Sequence, residues 1–509
     1  MDIIREFAVT PEKILNYWCT WTTQSTIKHN RTFKKLYTNG VTRDSLCEEF
    51  LFGELNTLDM MPREVRGELI ALLDDGWDVP YGAGQAHRWN FGSFELNPDR
   101  FPSFHGTPAK RLKEISDRVK ALGWYGLGLW QAVQMCTDDG RAYTLDEARA
   151  FWRERLSWCA YADVKYLKLD WGRDCQNAEF RRMIRDEAAV IAPDMIIEQA
   201  NPRDCLDLRY AERDGAAYAL TKQRIADYLP LGDTFRVYDA TWHFLHTTLI
   251  SRTAEALEIA AARGDTPNPV LNVEDGVYIG AVLGCSMGIM RCYPCEVDPA
   301  NDCYHIIETP TNPVIRALKF QRIAPPFGIA GSENHVSAEI LHDSYYFPKT
   351  DNPGWPKISD QLVVQDCSAA IARGLPLPTV GHAAYGEKPV VLCAKNPRTG
   401  VSSVYSAPRT IGGSCCYSVR ADITVHGCDA AKPVGIFGHY QSLTLEFDAD
   451  MTGRRIFGQD LLTDEAEELT DRVTITGNSV TLAGELIDAV GLSRPECAAD
   501  QPGMVLLAR

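Results

Sequence analysis

Short apolar segments alternate with longer segments of helical periodicity between residue 14 and about residue 325. Two of the longer segments, Thr107 to Leu122 and Thr144 to Ala160, carry apolar residues at helical spacing, and the second begins with the residues of a capping box, Thr144 and Glu147. This alternation predicts βα units around a parallel sheet, hence an α/β fold. The predicted strands are Ile14 to Trp21, Leu69 to Leu73, Gly126 to Trp130, Tyr166 to Asp170, Met195 to Glu198, a stretch within Ala226 to Tyr238, and Val270 to Val273, with an eighth near Ile289.

The pattern changes after Pro325-Pro326, where short runs of period two are separated by Gly, Pro, Asn and Asp. Leu443 to Phe447 and Val473 to Leu482 are the clearest of these runs. A chain of 509 residues is also too long for one compact domain. We therefore predict a catalytic domain over residues 1–328 and a C-terminal antiparallel β domain over residues 329–509.

Charge and hydropathy exclude two classes of partner. The chain has 52 basic and 68 acidic residues and a formal charge of −16, which disfavours nucleic acid. Its longest nearly uncharged apolar run, Val277 to Met290, is shorter than the roughly 20 residues of a bilayer span and predicts a buried core helix instead. Acidic residues within Met1 to Glu6 do not fit a signal peptide, so we expect a cytoplasmic protein without a membrane partner. Oligomeric state is not specified by the sequence.

The 16 cysteines mostly follow apolar or aromatic residues, which is typical of packed thiols in a reducing compartment. One group has spacing nearer to that of metal ligands, namely Cys292, Cys295 and Cys303 with His305. Its second spacing is irregular, and we favour packed thiols over a metal site. We expect no cofactor.

Acidic and aromatic residues recur where the predicted strands end. Lys168 and Asp170 share one face of their strand, since side chains at i and i+2 point the same way, and the lysine can then keep the carboxylate ionised. Chemistry in a barrel of parallel strands is located at these carboxyl ends, and carboxylates beside indole rings are typical of a carbohydrate pocket. The strand-end residues are Trp18, Trp21, Asp74, Asp75, Trp130, Lys168, Asp170, Glu198, Asp233, Glu274 and Asp275.

Each of these residues has a structural alternative. The tryptophans can be core residues, the aspartates can cap helices, and the Lys168–Asp170 pair can be a structural salt bridge. Because such residues occur at several consecutive strand ends, a shared functional site explains them better than a separate structural role for each.

Four motifs resemble the retaining α-galactosidases and melibiases of glycoside hydrolase clan D, families 27 and 36. They are Lys168-Leu169-Asp170, Leu73-Asp74-Asp75-Gly76-Trp77, Tyr17-Trp18-Cys19-Thr20-Trp21, and Arg100-Phe101-Pro102 followed by Gly106 and a helix ending at Leu122-Gly123. The resemblance covers roughly residues 14 to 300. It implies a (β/α)8 TIM barrel followed by a β-sandwich, and a two-step retaining mechanism without a metal.

The resemblance also implies roles for the residues. Asp170 is then the nucleophile, Lys168 its electrostatic partner and a sugar ligand, and Asp74 and Asp75 ligands of ring hydroxyls. Asp233, within Gly232-Asp233-Thr234-Phe235-Arg236, is our predicted acid/base, with Arg236 in place of the motif's arginine and Asp227 and Asp239 as rivals. We further expect sugar contacts from Trp18, Trp130 and Glu198.

The predicted function is that of a retaining glycoside hydrolase acting on α-galactoside-like substrates through a covalent glycosyl-aspartate. Alternatives within the clan are transglycosylation and other specificities, namely α-N-acetylgalactosaminide, β-L-arabinopyranoside or α-glucoside. A carbohydrate-binding protein without turnover is the alternative from another class. The expected partner is an oligosaccharide or glycoside.

Overall fold

A closed barrel of eight parallel strands forms the first part of the protein. The computed structural model describes residues 1–24, 39–54, 56–83, 88–200, 215–237, 245–264, 268–290, 311–347, 360–383, 387–410, 417–497 and 500–509. The barrel strands are β1 (Tyr17–Cys19), β2 (Ile70–Leu73), β3 (Gly126–Gln131), β4 (Tyr166–Leu169), β5 (Ile196–Gln199), β6 (Thr234–Val237), β7 (Val270–Glu274) and β8 (Ser286–Ile289). These bounds confirm the predicted strands, including the eighth, and confirm the (β/α)8 fold.

The helices of the barrel alternate with its strands. The two predicted helices are present as α5 and α6, and Thr144 and Glu147 form the predicted capping box at the start of α6. The described helices are α1 (Ile3–Phe7), α2 (Asn39–Ser45), α3 (Glu48–Phe52), α4 (Arg63–Arg66), α5 (Pro108–Ala121), α6 (Leu145–Ala162), α7 (Ala178–Ile191), α8 (Ala216–Tyr228), α9 (Leu245–Arg263), α10 (Val277–Leu283) and α11 (Thr311–Gln321).

The apolar run from Val277 to Met290 is not the single core helix predicted from its composition. It is buried throughout, but α10 ends at Leu283 and the chain then forms β8. Gly284 makes the change of direction, with a left-handed φ of 64° that favours glycine. Apolar content therefore predicted the burial correctly and the secondary structure only in part, because buried helix and buried strand have the same composition.

Two sheets form the C-terminal part, which confirms the predicted β-sandwich. An eight-stranded sheet has the order β20-β19-β23-β17-β15-β14-β12-β9, a five-stranded sheet has the order β13-β16-β18-β22-β21, and β10 and β11 form a separate hairpin. Most pairs are antiparallel, while β12–β14, β15–β17 and β16–β18 are parallel. The elements are β9 (Asn334–Val336), β10 (Ile340–Phe347), β11 (Gln361–Ser368), β12 (Ala370–Arg373), β13 (Thr379–Ala383), β14 (Val390–Lys395), β15 (Ser402–Ala407), β16 (Ala421–Cys428), β17 (Val434–Gly438), β18 (Ser442–Phe447), β19 (Ile456–Asp460), β20 (Glu467–Glu468), β21 (Thr474–Thr476), β22 (Ser479–Ala483), α12 (Gly484–Gly491) and β23 (Gly503–Ala508).

The larger sheet is buried on both faces. In β14, Val391 and Cys393 pack into the core between the two sheets, whereas Leu392 belongs to the core shared with the barrel. The buried Arg373 reinforces this contact, because its guanidinium donates to the carbonyl of Leu283 at 2.6 Å and to that of Gly328 at 2.8 Å. The domain boundary predicted near residue 328 falls between α11 and β9.

The described residues contain neither a membrane-spanning helix nor a cluster of metal ligands. No helix within those ranges has both the length and the apolar character that a bilayer crossing requires. The same part of the chain contains no group of three or more His, Cys, Asp or Glu side chains placed to share a metal ion. Cys292, Cys295, Cys303 and His305 lie outside the described residues.

Candidate active site

Asp170 follows the last residue of β4 and points into the carboxyl-terminal end of the barrel, which we call the mouth. Its Oδ2 accepts a hydrogen bond from the Trp130 indole at 3.0 Å and lies 3.8 Å from the Arg236 guanidinium. Burial alone raises the pKa of the Asp170 carboxyl, but Arg236, Lys168 and the Trp130 N–H together hold that pKa below its ordinary value. With 16% of its side chain exposed, Asp170 is an ionised carboxylate that a ligand can reach.

Lys168 lies one layer deeper and pairs with a residue at the end of β2, on the other side of β3. Its ammonium binds Oδ2 of Asp74 at 2.8 Å, and both side chains are almost wholly buried. The Cys19 thiol donates to the same carboxylate oxygen at 3.0 Å. The predicted partnership of Lys168 with Asp170 is therefore electrostatic only, because the direct salt bridge is made to Asp74.

Asp75 accepts hydrogen bonds from two side chains at the mouth. Its Oδ2 accepts from the Arg43 guanidinium at 2.6 Å and from the Trp171 indole at 3.3 Å. Burial raises the pKa of Asp75, and Arg43 opposes that rise. Arg43 comes from α2, within the long segment between β1 and β2, and nothing in its sequence context indicates this role.

Arg236 lies between two carboxylates on the inner face of the barrel. Besides its approach to Asp170, it donates to Glu274 at 2.9 Å. Arg236, Asp170 and Glu274 thus form one charge network at the mouth, which agrees in position with the prediction that Arg236 belongs to the site.

Glu198 is inside the barrel at the level of Lys168 rather than at the surface of the pocket. Its two oxygens accept from Tyr17 at 3.3 Å and from Tyr166 at 2.7 Å, and the residue has no exposed surface. Burial raises its pKa to about 7, against the lowering effect of Arg236 and Lys168. The predicted sugar contact of Glu198 is corrected to an internal role, since the two tyrosines occupy its carboxylate. Both tyrosines lie at inward strand positions. Tyr166 is two residues before Lys168 and therefore on the same face, so the period of the strand could have indicated it.

The predicted acid/base Asp233 lies at the opposite end of the barrel. It precedes β6, and its carboxylate accepts from Arg185 and from the backbone N–H of Ile197, both at 2.9 Å, while Lys13 lies 3.5 Å away. The strand register puts Asp233 three residues below the level of Asp170, about 10 Å along the strand. A retaining pair requires carboxyl groups about 5 to 5.5 Å apart, so this prediction is wrong on position.

The rival Asp227 fails for the same reason. It lies near the end of α8, which runs down to the start of β6, and its carboxylate accepts from Gln223 at 2.9 Å. The third candidate, Asp239, lies outside the described residues.

Trp18 is also not in the pocket. Its neighbours Tyr17 and Cys19 point into the barrel, so Trp18 points outward, where it packs against Trp124 with ring centroids 5.8 Å apart and is 1% exposed. Trp130 does face inward, but it is equally buried and its indole N–H is bonded to Asp170. The predicted sugar contacts of Trp18 and Trp130 are therefore corrected: Trp18 packs outside the barrel, and the Trp130 indole holds the Asp170 carboxylate in place. Trp171, which directly follows Asp170 in the chain, has its ring partly exposed at the mouth.

Among the described residues of the mouth, Asp170 is a partly exposed carboxylate surrounded by buried, paired charges. Asp74 is paired with Lys168, Asp75 with Arg43 and Glu274 with Arg236, so their positions are fixed before any ligand arrives. Preorganised charge of this kind can stabilise positive charge that develops on a neighbouring atom. The site therefore suits a nucleophilic or electrostatic role for Asp170.

Comparison with known proteins gave structural likenesses only. Neither a family model nor a curated protein matched the chain. Among solved structures, it is similar to α-galactosidase I from Mortierella vinacea (10% identity, 97% of this chain and 96% of that one, TM-score 0.40). It is likewise similar to the GH27 β-L-arabinopyranosidase from Geobacillus stearothermophilus (10% identity, 99% and 98%, TM-score 0.41) and to the α-galactosidase from Saccharomyces cerevisiae with raffinose (11%, 98% and 100%, TM-score 0.40). These are proteins of the kind that the sequence motifs resemble. All three TM-scores are below 0.5.

Proposed function

We propose that this protein is a retaining glycoside hydrolase that acts on α-galactoside-like substrates. The observation that carries the proposal is Asp170, a partly exposed carboxylate whose pKa is held below its ordinary value by Arg236, Lys168 and Trp130. A carboxylate kept ionised at the mouth of a barrel is what a glycosyl-enzyme intermediate requires.

In the first step, a carboxylate oxygen of Asp170 attacks the anomeric carbon while the bond from that carbon to the leaving oxygen breaks. A carboxylic acid at the mouth gives its proton to the leaving oxygen. In the second step, the same group, now ionised, takes a proton from water, and the resulting hydroxyl group replaces Asp170 on the sugar. The charge network around Arg236 favours the carboxylate form of Asp170, both before it attacks the sugar in the first step and as it is released from the sugar in the second.

Asp239 is our choice for the acid/base. Of the three candidates from the sequence, it is the one that follows β6 in the chain, whereas Asp227 and Asp233 precede that strand. Its assignment rests on this order along the chain and on the rule that barrel chemistry is located where strands end.

The proposal is tested with Asp170→Asn and a panel of aryl glycosides: α-galactoside, α-N-acetylgalactosaminide, β-L-arabinopyranoside and α-glucoside. We expect the wild type to hydrolyse at least one of them with retention at the anomeric carbon and the variant to lose turnover by several orders of magnitude. Asp194→Asn, an exposed carboxylate outside the mouth, is the matched control and should leave turnover unchanged. Near-normal activity in Asp170→Asn, or inversion of the anomeric centre, would overturn the proposal.

A further inference from the structure

A cavity of about 360 Å³ lies beside the mouth, next to the chain segment that follows Asp170. Its wall includes three aromatic side chains, Trp89, Tyr143 and Trp171, together with Met135 and Arg173. The proposed hydrolysis uses none of this cavity. Its volume is within the range of sites that take one small ring system.

The two loops that form the wall of the cavity are bonded to each other directly after Asp170. The N–H of Val133 donates to the carbonyl of Trp171 at 2.8 Å, and the N–H of Asp174 donates to the carbonyl of Val133 at 2.9 Å. Between them, Gly172 has a φ of 147°, and a Cβ on it would lie 2.6 Å from backbone atoms of Val133. Because only glycine fits this approach, the loops after β3 and β4 form one rigid wall.

The polar groups of the wall are largely engaged with the protein. The amide of Gln134 donates to the carbonyl of Phe91 at 2.9 Å and accepts from the N–H of Arg173 at 3.0 Å. The Trp89 indole donates to the carbonyl of Asp138 at 3.2 Å, and the Tyr143 hydroxyl donates to Asp174. What remains toward the cavity is aromatic and thioether surface, with the Arg173 guanidinium 5.0 Å from the centre of the Tyr143 ring. This lining favours a flat ring with few hydroxyl groups over a second sugar, which needs many hydrogen-bond partners.

Trp171 connects the cavity to the reacting centre. Its ring centroid is 5.2 Å from that of Trp130, whose N–H binds Asp170, and its own N–H binds Asp75. A substrate bound at Asp170 therefore has the cavity on the far side of a single indole ring. The leaving oxygen departs from the face of the sugar opposite to Asp170. Because Trp171 both lines the cavity and binds Asp75, a ring attached to that oxygen would enter the cavity over the Trp171 side chain.

We propose that this cavity is a second subsite, which holds an aromatic ring of the leaving group. The natural substrates would then be glycosides of phenolic or other aromatic alcohols rather than unbranched oligosaccharides. This inference rests on the proposed function for the link to a leaving group, whereas the binding of an aromatic ring can be measured by itself.

The test fills the cavity with Met135→Trp and compares a 4-nitrophenyl glycoside with the glycosyl fluoride of the same sugar, which has no ring to bind. We expect the ratio of kcat/KM for the aryl glycoside to that for the fluoride to fall about tenfold. Met60→Trp, a half-buried methionine outside the cavity, should keep the wild-type ratio. Met135→Ala, a second variant that avoids overpacking, should change the ratio in the same direction by less. An unchanged ratio in both Met135 variants would overturn the inference.

Calorimetric titration with 1-naphthol separates this inference from the proposed function. Wild type and Asp170→Asn should bind 1-naphthol alike, and Met135→Trp should bind it at least tenfold more weakly. A protein that hydrolyses glycosides but does not bind 1-naphthol contradicts the subsite alone. One that binds 1-naphthol with the expected loss in Met135→Trp but hydrolyses no glycoside contradicts the proposed function and supports the cavity as an aromatic-ring site.

Discussion

The indole N–H of Trp130 donates a hydrogen bond to Oδ2 of Asp170 at 3.0 Å. The register of the β3–β4 pair produces this contact, because Trp130 lies opposite Lys168 and Asp170 comes two residues later on the same face. The Trp130 ring is also buried, so its N–H is held beside the carboxylate before any ligand binds. Trp130 is therefore a positioning residue for Asp170, and its effect should appear in the pH dependence of the reaction.

Trp130→Phe keeps an aromatic ring and removes the N–H donor. Since that donor favours the ionised form of Asp170, we expect the acid limb of the kcat/KM profile to move to higher pH and kcat/KM to fall about tenfold. Trp124→Phe is the matched control, because it also removes a buried indole N–H, in this case one bonded to the carbonyl of Leu58 at 3.0 Å outside the barrel. The control should change stability only, and an unmoved acid limb in Trp130→Phe would contradict the role.

Arg236 and Glu274 should be energetically coupled. Arg236→Gln leaves the Glu274 carboxylate buried without its cation, so we expect a loss of about 3–5 kcal/mol in the free energy of unfolding. Glu274→Gln added to that variant removes one unpaired charge and should restore part of the loss. Denaturant unfolding of both single variants and the double variant measures the coupling, and strictly additive effects would show that the pair is not a unit.

Glu198 should make the stability of the protein depend on pH. Its pKa is about 7 in the folded state against an ordinary value of 4.5, so the folded protein holds the proton more tightly than the unfolded chain does. This contribution is fully present below about pH 4.5 and is lost as the pH rises through about 7.

Glu198→Gln is uncharged at every pH and should remove that dependence. Relative to the wild type, its free energy of unfolding should gain on the order of 3 kcal/mol between pH 4 and pH 8. Glu64→Gln, at an exposed position, is the control and should follow the wild type. Parallel curves for Glu198→Gln and the wild type would mean that the pKa of Glu198 is the same in the folded protein as in the unfolded chain, and would contradict the prediction.

Substitution of Asp233 should affect stability, whereas substitution of Asp239 should affect catalysis. Asp233→Ala removes the acceptor for Arg185 and Ile197 at the base of the barrel, so it should lower stability by about 1–3 kcal/mol and leave the chemistry on folded protein intact. Asp239→Ala should lose least activity on substrates with good leaving groups and regain activity with azide as a glycosyl azide. Azide rescue of the Asp233 variant instead would reverse the assignment.

The sequence by itself determined the barrel and the position of Asp170 at the carboxyl end of a barrel strand. Eight apolar segments, one of them indicated only near Ile289, matched the eight strands because a buried parallel strand needs a continuous apolar run. The spacing of Lys168 and Asp170 placed both on one face of their strand, since side-chain direction in a strand has a fixed period. Asp74 and Asp75 were also predicted from the sequence, because they directly follow an apolar strand.

Only the tertiary structure decided which of the alternating faces points inward and at which end of a strand a residue lies. Trp18 and Trp130 have equivalent local patterns, yet one packs outside the barrel and the other binds Asp170. Asp233 directly precedes β6, and the sequence did not show where that strand begins. The prediction therefore placed Asp233 at the wrong end of the strand. Arg43 came from a segment remote in sequence, and its pairing with Asp75 depends on how the chain folds back over the mouth. Periodicity is a local property of the backbone, whereas inside and outside are defined only when the barrel closes.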